Sequence, residues 1–166
     1  MADGITFYNN PFRVTGNGTG KRKPFIYQIA SGASNQGAPH GTATNITVLN
    51  TTVDRSGITY NTSNYRFTVP CNGEYMVHVK INYASEYTSD NDTQLTIRRN
   101  QSAGWTGNTG IWYVPDSQGT TWYKSFHNEA IVPMSRNDYI DFTFTQYTGS
   151  QRIISGSMSY AYIHLL

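Results

Sequence analysis

Charge is scarce in this chain. Lys, Arg, Asp and Glu make up 13% of its 166 residues, about half of the roughly 25% usual for a soluble domain. The net charge is +2, too small for the concentrated basic face that a nucleic-acid partner requires. The one basic cluster, Lys21-Arg22-Lys23, reads as a solvated loop. Cysteine is nearly absent as well: Cys71 alone excludes an internal disulfide and a cysteine metal cluster. No apolar run approaches the roughly 20 residues that cross a bilayer as a helix, so no membrane partner is expected. The start, Met1-Ala2-Asp3-Gly4, lacks the basic and apolar regions of a secretion signal. The chain is therefore expected to be made and kept in a reducing cytoplasm, or released from it by lysis. On that expectation the Asn-X-Ser/Thr triplets at Asn17, Asn45, Asn50, Asn61, Asn91 and Asn100 reflect composition rather than glycosylation. Helical periodicity is missing too.

Asn, Thr, Ser, Gly and Tyr fill the space that charge leaves. Hydroxyls and amides of this kind solubilise exposed strands and turns, and the abundant aromatics argue against disorder. The length suits one domain with a real core. Residues 1–24 hold few apolar positions and the turn-rich stretch Thr15-Gly16-Asn17-Gly18-Thr19-Gly20; they read as an irregular N-terminal docking arm ahead of a domain spanning 25–166. Phe25 to Ala30 reads as a short strand, Ser31 to Gly41 as a loop, and Asn45 to Val53 as a second strand. The clearest signal follows. Tyr75, Val77, Val79, Ile81 and Tyr83 alternate with Met76, His78, Lys80 and Asn82, the period-two pattern of a strand with one buried face. Before it, Phe67 and Val69 alternate and Pro70 ends the run, and Cys71-Asn72-Gly73-Glu74 has turn chemistry. Further strands are expected around Leu95 and Ile97, over Trp105–Val114 and Thr120–Val132, and after the turn Ser135-Arg136-Asn137-Asp138 at Ile140, Phe142 and Phe144. The last runs from about Gly156 to Leu166. Many short strands with turn signals and no amphipathic helix make an all-β antiparallel sandwich or barrel.

The final strand is apolar on both faces: Met158, Tyr160 and Tyr162 alternate with Ala161, Ile163 and Leu165. One face of an antiparallel sheet is usually wet, so this strand needs a second cover, and a neighbouring subunit supplies one. The expected subunit interface is thus Met158, Tyr160, Tyr162, Ile163, His164 and Leu165, with His164 either an interface side chain or an ordinary buried histidine. Trp105, Trp112, Tyr113, Trp122 and Tyr123 admit two readings, core or interface packing, or a surface on which a host glycan or receptor stacks. Glu86, Asp90 and Asp92 cluster in one loop as hard oxygen ligands do, but without EF-hand spacing, so a solvated loop is favoured and no metal or other cofactor is expected. There is no Gly-x-Ser-x-Gly elbow, His-Glu-x-x-His or phosphate loop. His40, His78, His127 and His164 are scattered, Cys71 lacks a partner motif, and nothing selects a pair among the ten acidic residues. Enzymatic activity is not expected.

One ordered set of motifs resembles a known family. Tyr60, then Phe67-Thr68-Val69-Pro70 and Gly73-Glu74-Tyr75, then Arg99-Asn100, then Ala130-Ile131-Val132-Pro133 with Asn137-Asp138-Tyr139-Ile140, then Tyr160 to Leu166 is similar to the globular C1q domain, which shares its jelly roll with the tumour necrosis factor ligands. The resemblance covers about residues 45–166. It departs where Asn137 replaces the family's turn glycine and where Tyr162 replaces a small glycine in the last strand. It implies a two-sheet jelly roll, with Pro70 and Gly73 shaping a hairpin corner, and a homotrimer whose last strands lie near the three-fold axis. No collagen-like Gly-X-Y stretch is present. A low-charge, Asn/Thr-rich trimer module of this kind is expected on the exterior of a virion, as a capsid decoration (cement) protein of a tailed phage that contacts the major capsid protein or another virion protein. The alternative is a fibre head or stand-alone module that binds a host receptor or glycan.

Overall fold

The computed structural model describes residues 5–6, 13–14, 27–32, 34–84, 93–102, 104–108, 112–115 and 122–166. The regular elements among them are all strands. In chain order these are β1 (Ile5–Thr6), β2 (Arg13–Val14), β3 (Tyr27–Ser31), β4 (Gln36–Ala38), β5 (Thr44–Asn45), β6 (Thr51–Ser56), β7 (Thr59–Asn61) and β8 (Arg66–Thr68). They continue with β9 (Gly73–Tyr83), β10 (Thr93–Arg99), β11 (Trp105–Asn108), β12 (Trp112–Pro115), β13 (Trp122–Met134), β14 (Tyr139–Gln146) and β15 (Arg152–Leu165).

Two sheets form. The larger runs β12-β13-β9-β15-β3-β6, with β4 added to β15; the smaller runs β11-β10-β14-β8-β7, with β5 added to β14. The strand pairings in both are antiparallel. β1 and β2 pair with each other; the rest of the proposed arm lies outside the described residues. The chain changes sheet after β4, β5, β6, β8, β9, β11, β13 and β14, which makes the sandwich a jelly roll of the kind the sequence implies.

Alternation builds the core. Tyr75, Val77, Val79, Ile81 and Tyr83 of β9 are all fully buried, as period two requires of a one-sided strand. Facing them from the smaller sheet are Phe67, Leu95, Ile97, Ile140, Phe142 and Phe144. Rings knit the layers together: Tyr83 meets Phe126 edge-on at 5.0 Å and Phe144 at 6.0 Å, and Phe126 lies 5.3 Å from Phe144. Such pairs contribute about 1 kcal/mol each beyond their burial.

Four expectations are corrected. The Pro70 corner is not a hairpin, because β8 and β9 belong to different sheets. Gly73 has no positive φ, and a Cβ there would meet Leu165 Cδ1, the end of a flexible side chain. The segment 45–53 is not one strand. β5 pairs with β14 in one sheet and β6 with β3 in the other, so residues 46–50 cross between layers and bury both Val48 and Leu49, with Tyr60 Oη donating to Leu49 O at 2.6 Å. The stretch from Trp105 to Val114 divides between β11 and β12, again in different sheets. The final strand starts at Arg152, four residues before Gly156, and pairs there with β4, inside the stretch read as a loop.

That last strand also bulges. Ser155 pairs with Asn82, but Tyr160 already pairs with Lys80, so β15 carries three extra residues and its inward face changes parity. Ile154 points in before the bulge, Ala161 and Ile163 after it. Ser159 Oγ donates to Ser155 O, Gly32 N–H donates to Ser159 O at 3.2 Å, and Gly156 N–H donates to Asn35 Oδ1 at 3.2 Å. These bonds satisfy the backbone groups that a bulge frees.

Candidate functional site

The outer face of the larger sheet is where the sequence placed an interface, and cross-strand register shows how it is built. Three rungs run across β13, β9 and β15: His127, Lys80 and Tyr160; Glu129, His78 and Tyr162; Ile131, Met76 and His164. β3 continues them, with Ile29 beside Tyr162 and Tyr27 beside His164 in register. Directly opposed side chains in such a ladder lie about 5 Å apart, so bulky rings must stack.

They do. The His78 ring lies 4.9 Å from Tyr162 with the planes 10° apart, 5.7 Å from Tyr160 at 20°, and 6.3 Å from His127 at 11°. Tyr162 and His164 stack at 6.1 Å and 22°. The Lys80 ammonium sits 5.8 Å from the Tyr160 ring centroid, a cation–π contact. His78 Nδ1 is 3.2 Å from Glu129 Oε2. Burial pulls the His78 pKa below its ordinary value; the bond to Glu129 opposes this, and His127 and Lys80 add to it. Around this row Ile131 is 50% exposed and Tyr160 36%. The face is a band of parallel rings with one carboxylate and one ammonium.

Six interface residues were read from the sequence, and they divide. Tyr160, Tyr162 and His164 stand on this face. Met158 is exposed, in the bulge. Ile163 is corrected: it is fully buried in the core, and Leu165 packs against that core, because the inward parity after the bulge falls on odd residues. Met76, His78, Lys80, His127, Glu129 and Ile131 were missed as site residues. The alternation of β9 marked the first three as outward-facing, but only register joins them to β13 and β15.

The aromatic set is spread over two sheets. In register, Trp105 pairs with Ile97 in the smaller, while Trp112 pairs with Ser125, Tyr113 with Lys124 and Trp122 with Pro115 in the larger. The side chains of Trp105, Trp112, Tyr113, Trp122 and Tyr123 lie outside the described residues, as do Glu86, Asp90 and Asp92. Among the described residues no three His, Cys, Asp or Glu side chains gather as a metal site would require. Cys71 packs against the core with its Sγ 3.4 Å from Tyr75 Oη. His78 lies among stacked rings, an arrangement suited to packing.

No family model matches the sequence, and no curated protein does. Solved structures are similar. Eiger TNF from S. frugiperda aligns with a TM-score of 0.53 at 14% identity, over 87% of this chain and 94% of its own. Rabbit GITRL aligns with a TM-score of 0.42 at 16% identity, over 66% of this chain and 76% of its own. At such identities the likeness is one of fold alone. The two antiparallel sheets, their strand order and the likeness to Eiger TNF make this chain a TNF/C1q-like jelly-roll sandwich.

Proposed function

We propose that the chain works as a homotrimer, a non-enzymatic structural module that decorates the outside of a virus particle. The observation that carries the assembly is the ring-lined outer face of β13, β9 and β15. A sheet face of stacked aromatics with a half-exposed Ile131 is costly to leave in water. A second copy of the same chain suits it: TNF-like domains typically form homotrimers, and rings, Lys80 and Glu129 provide both apolar area and charges of either sign. In a three-fold ring each copy gives this face to one neighbour and a different surface to the other.

The virion placement rests on composition. A low-charge, Asn/Thr-rich chain fits a protein that supplies surface and contacts. Residues 1–24 would be the arm that reaches the major capsid protein or another virion protein. Light scattering coupled to size exclusion tests the assembly: a particle of about three times 18.6 kDa is expected, and a single-chain mass contradicts it. Mass spectrometry of purified particles tests the placement. Copy numbers divisible by three support it, and absence from the particles removes the virion reading while leaving the trimer intact.

A further inference from the structure

The same face concentrates groups that acquire positive charge. His78 lies at its centre with its side chain 15% exposed. Nδ1 is held by Glu129, while Nε2 is buried without a hydrogen-bond partner among the described residues. A neutral ring with its proton on Nδ1 tolerates this, since Nε2 then only lacks a donor. A second proton would put an N–H at Nε2 with no acceptor, beneath stacked rings. The groups around it are few. Lys80 lies on its own strand, with Glu74 further along; Glu129 and His127 face it from β13; the neutral Tyr160 and Tyr162 face it from β15, with His164 one rung beyond. Counting the His78 ring itself, one carboxylate is set against one lysine and three imidazoles, with Glu74 further off.

We propose that this row is an acid switch, in which protonation of His78 drives associated copies of the chain apart. The proposal rests on the self-association reading above. A second copy seated on the face excludes the water that screens these charges, so like-charge repulsion is stronger in the assembly than in the free chain. Protons therefore bind the separated chain more readily, and by linkage acid favours separation. The folded chain shares the same sign. His78 is held below its ordinary value of 6.5, so its contribution to stability is full above that value, falls as pH drops from it towards the lower folded-state pKa, and levels off beneath.

The test is light scattering coupled to size exclusion at about pH 8 and about pH 5, the range in which histidine charge changes, with circular dichroism at each pH. The whole chain is compared with His78→Phe, which keeps a stacking ring without a titrating proton. His78→Gln, which also lacks a titrating proton, carries the comparison should His78→Phe not fold. The expected result is a three-chain particle at the higher pH for all, a fall to 18.6 kDa at the lower pH for the natural chain with its spectrum retained, and no fall for the variant. An unchanged three-chain mass at both values overturns the switch and leaves the assembly standing. Dissociation of the variants alongside the natural chain also overturns it, as does loss of the folded spectrum at the lower pH. A single-chain mass already at the higher pH is the failure of the assembly reading itself, and the switch falls with it.

Discussion

Asp138 shows how much a single side chain organises here. Its carboxylate accepts from Ser135 N–H at 2.7 Å, from Asn100 Nδ2 at 2.7 Å and from Arg99 at 2.8 Å, and Asn100 Oδ1 in turn accepts from Tyr139 N–H at 2.9 Å. Two motifs far apart in sequence, Arg99-Asn100 and Asn137-Asp138, are therefore one structure, with Asn100 and Asn137 both at positive φ. Burial raises the Asp138 pKa, but the three donors outweigh it and hold it below the ordinary 3.8. Its contribution to stability is thus present above that value and lost as pH falls through the lower folded-state pKa. Asp138→Ala is expected to cost about 2–3 kcal/mol, read as a lower urea midpoint with an unchanged slope. Gly156 is a steric case. A Cβ there would meet the Ser34 backbone, and Gly156→Ala should destabilise by about 1–3 kcal/mol, checked by the same unfolding curve.

At the scale of elements, β15 separates what was readable from what was not. Its two apolar faces were legible from alternation alone, and so was the core set of β9, because one-sided burial leaves a period-two trace. Which face was the inner one was only half legible. Met158, Tyr160 and Tyr162 keep one phase, and nothing in Gly156-Ser157-Met158-Ser159 announces that Ile154, in that same phase, points inward. The inter-sheet corners were hidden for a related reason: Cys71-Asn72-Gly73-Glu74 after Pro70 reads as turn chemistry whether the chain returns within its sheet or crosses to the other. The histidine row was invisible, since His78, His127 and His164 meet only through pairing register. The two faces give opposite outcomes to the same substitution. Ile163→Asp buries an unpaired charge and should cost more than about 4 kcal/mol, abolishing the folded spectrum. Tyr160→Asp leaves the chain folded and lowers only its assembled mass.

For the molecule as a whole, the jelly roll leaves one sheet face in need of a cover, and residues 1–24 are proposed as a docking arm. Deleting residues 1–24 is therefore expected to leave the oligomeric mass at three chains while abolishing retention on purified particles, checked by scattering and co-sedimentation. The most direct measurement is the mass of the natural chain and of Tyr160→Asp at neutral pH by light scattering coupled to size exclusion. The account requires about three times 18.6 kDa for the first, and a single chain with an unchanged dichroism spectrum for the second. A natural chain that runs as a monomer, or a variant that remains fully assembled, contradicts it.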